Sequence, residues 1–323
     1  MTNRINRRFL LTSAVALPLA SLAERAIADI TTPTGQPTQP SPEIYVRSPD
    51  IEDVSLSPDG KHVAFVTKAK GLYYVVSQSI ETKAKTALEL GTLKVRQVSW
   101  GSNRHIMVVT SVTTDLGQPQ YIAGRDEYSI VRTFNIETGE QYELFSNMSG
   151  MGNIVGGQVH RFRRNDKYYI GAPPQFYATR QLRALYLFDP DINKAKLLPE
   201  RDCADVYTPS GQPVARTSQS RGGEGHTWIW KLEIYTQKKW KKVFLQRENV
   251  DTPVLLGMGR SEGTVVVFIN AGDYAGQYVE INDQGDITPL EAGAGFNPSP
   301  LFHPITQRFC GFADHDDSVK YNY

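Results

Sequence analysis

Charge of one sign, cysteine and helical periodicity are all scarce in this sequence. Lys and Arg total 35 against 34 Asp and Glu, a formal net charge of +1 over 323 residues, which removes any bulk electrostatic grip on nucleic acid or an anionic membrane. Two cysteines exclude a disulfide-dense scaffold. From Val54 onward no run of ten or more residues places its apolar side chains at the helical period, so bundles and helix-sheet alternation are excluded too. What is abundant is punctuation: 26 Gly and 19 Pro beside 40% hydrophobic and 10% aromatic residues, the composition of a turn-rich globular protein.

The longest apolar stretch, Phe9 to Leu22, is interrupted by Thr12, Ser13, Pro18 and Ser21 and falls short of the roughly 20 residues a membrane-spanning helix needs. Arg4, Arg7 and Arg8 precede it, and Ala26-Ile27-Ala28 follows as the small-x-small site of a signal peptidase. Residues 1–28 are therefore expected to be a cleaved signal peptide, with Arg7 and Arg8 in its basic head and Ala26 and Ala28 at its cleavage site. That implies export to a bacterial periplasm and leaves no integral membrane segment. The run Asn6–Leu11 resembles a twin-arginine signal but lacks the residue between the arginine pair and Phe9, so the general and twin-arginine routes both stay open. Cleavage removes four arginines and Glu24, taking the net charge from +1 to −2. Residues 29–46 read as a linker, with four prolines between Thr31 and Pro42.

Beyond the linker the apolar pattern is short and alternating. Val54-Ser-Leu-Ser-Pro-Asp-Gly-Lys-His-Val-Ala-Phe-Val66 predicts strand, tight turn, strand, because Pro58-Asp59-Gly60 supplies a fixed φ, a side-chain turn bond and a residue tolerant of positive φ. Similar openings begin at Val98, Val159, Val206, Val254 and Leu301, giving spacings of 44, 61, 47, 48 and 47 residues. The outlier holds the stretch around Asp115–Arg125. Four strands per unit at a period of roughly 40–50 residues predicts an all-β fold, a β-propeller of four-stranded blades. Residues 47–323 hold about five complete blades and part of a sixth. A ring that stops inside a blade leaves an unpaired edge, so the chain is expected either to continue or to close through residues 44–51 pairing with the last hairpin.

These hairpins, repeated behind a signal peptide, resemble the N-terminal propeller of prolyl-oligopeptidase-family serine peptidases, in particular the acylaminoacyl-peptidase and dipeptidyl-peptidase-like branch. The resemblance covers roughly Arg47 to Tyr323 and extends to other propellers with Ser-Pro-Asp-Gly hairpins, including that of the Tol system. It implies a C-terminal α/β-hydrolase domain beyond Tyr323 carrying Ser, Asp and His, and a propeller that restricts entry to short peptides. No catalytic residue transfers to this chain, which reads as a lid and channel without catalysis of its own. A complete periplasmic propeller that binds a protein or envelope partner is the alternative.

Several motifs imitate chemistry. Gly259-Arg-Ser261-Glu-Gly263 matches the nucleophile elbow, but a strand-forming run, Thr264–Ile269, follows where an elbow needs a helix. Asp189-x-Asp191-x-Asn193 with Glu200 imitates a calcium loop but has Lys194 where the sharp turn needs Gly. Asp314-His315-Asp316-Asp317 reads as a solvated turn, and Lys238–Lys242 as a strand edge protected by lysines. The six histidines, His62, His105, His160, His226, His303 and His315, show no zinc-like spacing. Cys203 and Cys310 fall in different units and are not expected to bridge. No residue is assigned a catalytic, cofactor-binding or metal-ligating role, and no cofactor or nucleic-acid partner is expected.

Overall fold

Contacts in the computed structural model divide the chain into two units, 1–49 and 50–323. The described residues are 50–114, 126–149, 152–175, 184–222, 228–248, 251–292, 298–315 and 319–323. Arg7, Arg8, Ala26 and Ala28 of the expected signal peptide, and the linker, lie outside them. No helix of the described residues is long and apolar enough to cross a membrane.

The second unit is an all-β propeller built of antiparallel sheets whose strands follow one another in chain order. The first sheet comprises Ile51–Leu56, His62–Ala69, Leu72–Ser79 and Lys85–Gly91. Lys94–Trp100, His105–Thr114, Asp126–Asn135 and Gln141–Glu143 form the second, with Ile154–Val155 added on its third strand. The third holds His160–Arg164, Lys167–Ala172, Tyr186–Asp189 and Lys194–Leu197, and the fourth Val206–Tyr207, Pro213–Arg221, Trp228–Thr236 and Lys239–Glu248. Val254–Met258, Thr264–Ile269, Gln277–Asn282 and Ile287–Pro289 make the fifth. The sixth has three strands, Ser299–Phe302, Phe309–His315 and Val319–Asn322. Ile51 pairs with Thr67 inside the first sheet, and Val319–Asn322 pairs with Phe309–His315. Among the described residues no strand pairing joins the first sheet to the sixth; residues 44–49 lie outside them.

The period-2 pattern of each strand explains the stacking, since alternate side chains serve the sheets on either side. Ile106 and Val108 pack with Ala64 and Val66 of the first sheet, while Met107 between them packs with Ile170 and Phe188 of the third. Val265 and Val267 meet Leu232 and Ile234 of the fourth sheet, and Val266 meets Phe309 and Phe312 of the sixth. Phe162 and Leu187 meet Tyr207 across the third and fourth. Among the described residues, five hydrophobic clusters thus fill the spaces between six consecutive sheets, each buried aliphatic or aromatic side chain contributing about 1.5–3 kcal/mol.

The opening turns are closed by side chains. Ser57 Oγ accepts from the backbone N–H of Lys61 and His62 and donates to Asp59. Ser102 Oγ accepts from Arg104 and His105 in the second sheet, and Thr208 Oγ1 from Gln212 in the fourth. In the sixth, His303 Nδ1 accepts from Ile305 and Thr306.

Candidate functional site

Each motif residue has a structural occupation. Ser261 sits in an exposed turn between Val254–Met258 and the strand Thr264–Ile269. Both glycines of this pentapeptide are needed by the turn. A Cβ on Gly259 would lie 2.1 Å from Thr264 Oγ1 and 2.2 Å from Glu280 Oε1, the two groups that hydrogen-bond each other there; Gly263 has φ +76°, a region that favours glycine. Arg308 of the sixth sheet donates to the carbonyls of Gly259 and Ser261, tying this turn to its neighbour.

The carboxylates of the calcium-like loop face cations: Asp189 lies 2.6 Å from Lys167 and Asp191 2.9 Å from Arg104. Asp314 is 5% exposed, with one oxygen accepting from Asn322 and the other without a partner; Asp316 and Asp317 lie outside the described residues. Among the described residues no group of three or more His, Cys, Asp or Glu could hold a metal ion. Trp240 of the lysine-rich edge strand lies over Arg216, 4.3 Å from its guanidinium, and donates Nε1–H to the Arg201 carbonyl. Buried Cys203 lies 3.6 Å from the Pro199 carbonyl, Cys310 donates to Leu301, and the two are not bridged.

A hydroxyl, an imidazole and a carboxylate that sequence reading did not connect do converge between the second and third sheets. His105 Nδ1 is 2.8 Å from Ser102 Oγ and 3.8 Å from Asp191 Oδ1, while Nε2 faces the Asn135 amide at 3.2 Å. A catalytic triad needs the acid on one ring nitrogen and the nucleophile on the other. Here both face Nδ1, and Ser102 already accepts two backbone N–H groups. Burial lowers the His105 pKa, Asp191 opposing this and Arg104 adding to it. The cluster is a brace between two sheets, completed by Arg104 reaching Asp191 and Glu137.

Between the same two sheets lies a crevice of about 120 Å³. Gly101 positions it: a Cβ there would stand 2.8 Å from Ile170 Cδ1, so the two sheets come together at this point because residue 101 has no side chain. Trp100 is 1% exposed and spans three sheets, donating Nε1–H to the Ser55 carbonyl of the first at 3.0 Å and accepting from Arg161 of the third at 3.3 Å. Gln97, Ser99 and Arg161 supply the polar wall, and Met107, Val109, Val131 and Val159 the apolar one. The alternating register puts Arg161 toward Trp100, while His160 and Phe162 on its other side meet Tyr207 of the fourth sheet, with ring centroids 5.0 and 5.1 Å away. Burial pushes the guanidinium pKa of Arg161 down, Tyr168 opposing this.

No family model matches this sequence, and no curated protein matches it. Solved structures do. An acylaminoacyl peptidase from Pyrococcus horikoshii is similar at 14% identity and a TM-score of 0.45, over 85% of this chain and 43% of that one. TolB from Acinetobacter baumannii is similar at 11% identity and a TM-score of 0.36, over 75% of this chain and 54% of that one. The β-propeller domain of the Trilobed protease from Pyrococcus furiosus is similar at 15% identity and a TM-score of 0.44, over 84% of this chain and 81% of that one. The chain spans less than half the length of the acylaminoacyl peptidases it matches.

Proposed function

We propose that this chain is the exported propeller portion of a prolyl-oligopeptidase-like serine peptidase, a lid and channel that admit short peptides to a hydrolase domain encoded beyond Tyr323. The observation that carries this reading is the repeat itself: opening hairpins like that of Val54–Val66 recur at spacings of 44 to 61 residues after the expected signal peptide. The turn chemistry around Ser261 supports it, because the one serine in an elbow-like pentapeptide lies between two strands, where no helix N-terminus follows to help form an oxyanion site. Acyl transfer from a peptide to serine, and then to water, would be carried out by the second domain. The propeller's part would be exclusion, since entry past stacked sheets selects on size.

The test reads the genomic frame past the Tyr323 codon and labels the expressed full-length product with a fluorophosphonate. The reading expects an open frame of roughly two hundred residues or more with a serine elbow between strand and helix, and labelling confined to that part. A stop codon directly after Tyr323, or labelling of Ser261 that Ser261→Ala abolishes, would refute it. Mature protein recovered from the periplasm should begin at Asp29; an uncleaved N-terminus would refute the export reading.

A further inference from the structure

Arg161 holds a positive charge in a partly buried crevice without an anion beside it among the described residues. A guanidinium has five N–H donors, and the described residues supply one acceptor, the Trp100 carbonyl. No carboxylate among the described residues lies within ion-pair distance of Arg161, although most arginines around it are engaged: Arg96 with Glu127, Arg104 with Asp191, Arg132 with Glu143, Arg163 with Asp166. Withdrawing a cation from water with nothing to offset it destabilises the fold, and a methionine of similar length would pack the same wall at no such cost. Beside the guanidinium, Gln97 and Ser99 also line the crevice, and among the described residues neither side chain hydrogen-bonds another protein group. Opposite them is an apolar floor. The volume, about 120 Å³, equals roughly four waters at liquid density.

We propose that this crevice is a receptor for a small aliphatic carboxylate, with Arg161, Gln97 and Ser99 holding its anionic head and Val109 and Val159 receiving its alkyl part. A charge-assisted, bidentate pair is the geometry a guanidinium offers a carboxylate, and a neutral amide of the same shape would leave the cation as it stands. The same head group occurs on a free short-chain acid and at the C-terminus of a peptide. The site stands independently of the peptidase reading, since it rests on two adjacent sheets of this chain.

Saturation-transfer NMR on the 323-residue protein tests it with butyrate, butyramide and N-acetylalanine as probes. Butyrate should give saturable transfer at a dissociation constant on the order of 1 mM, as expected for a ligand of so few atoms, while butyramide gives none. Arg161→Met should abolish the signal and raise the melting temperature, whereas Arg163→Met, an exposed neighbour, should retain it. Val159→Phe, which fills the floor and leaves the charge in place, should weaken binding at least tenfold and provides a second variant if Arg161→Met fails to fold. Transfer from N-acetylalanine as well as butyrate would assign the site to peptide termini, and transfer from butyrate alone to free acids. Absence of transfer to the wild-type protein from either carboxylate, equal transfer from butyramide, or transfer unchanged in both Arg161→Met and Val159→Phe would overturn the proposal.

Discussion

Acidification should unload stability through His160 well before most carboxylates are protonated. The imidazole is enclosed by Phe162, stacked at 5.8 Å and 6°, and by Tyr207 edge-on at 5.0 Å. Burial lowers its pKa from 6.5 to about 4, with Asp205 opposing. The unfolded chain therefore binds a proton near pH 6.5 that the folded chain refuses until about pH 4. Because the folded-state value is the lower one, the contribution is complete above 6.5, falls as the pH drops from 6.5 towards 4, and is lost below both values. Each unit of difference is about 1.4 kcal/mol, so the full loss is about 3 kcal/mol and roughly 2.5 kcal/mol of it has gone by pH 4.5. Partial attraction of the imidazolium to the Phe162 face would trim this by about 0.5–1 kcal/mol. The assay is urea unfolding at a series of pH values from 8 to 4.5, comparing wild type with His160→Phe, which extends the aromatic cluster and cannot titrate. His105, displaced in the same direction, and carboxylates such as Glu127, held down to about 2 by Ser111 and Arg96, act alike in both proteins and cancel in the difference. The variant should lose about 2 kcal/mol less than wild type over that range. Parallel stability curves for the two proteins would refute the claim that His160 is folded in its neutral form.

Two further substitutions probe the joints between sheets. Trp100→Phe removes the indole N–H bond to Ser55 and leaves a void, together about 2 kcal/mol, so calorimetry should show a melting temperature lower by roughly 4–8 °C; an unchanged value would show that the indole does not join these sheets. Gly259→Ala forces apart Thr264 and Glu280 and should cost about 1–3 kcal/mol, whereas Ser261→Ala on the exposed tip should stay within about 0.5 kcal/mol; the reverse order in urea unfolding would contradict the structural account of this pentapeptide.

The repeat was legible because the properties that define a blade are local. Pro58-Asp59-Gly60 marks a turn wherever it lies, and the strands on either side of it, Ile51–Leu56 and His62–Ala69, follow from alternation alone. The same holds for Gly259–Gly263, where the run Thr264–Ile269 already argued for a strand, and for Asp189–Asn193, which is the turn before Lys194–Leu197. What alternation leaves open is which cation answers a turn carboxylate. Arg104 and Asp191 stand 87 positions apart and meet because consecutive sheets stack with their turns aligned, a relation no spacing within one unit expresses.

The crevice lies at the far end of that limit. Its polar wall takes Gln97 and Ser99 from the first strand of one sheet and Arg161 from the first strand of the next, and in the sequence each is an ordinary polar residue in an alternating strand. Alternation fixes that Arg161 and Phe162 face opposite sides of their strand. It does not say which of them meets a neighbour able to fill the space. On the Phe162 side Tyr207 closes the interface with an aromatic ring. On the Arg161 side Gly101 draws Ile170 against the second sheet and Trp100 turns its indole to the first, so only its carbonyl reaches the guanidinium. The concavity is thus a consequence of two residues, one without a side chain and one whose side chain is committed elsewhere, and the charge exposed to it is the part of the interface that the stacking of sheets leaves unanswered.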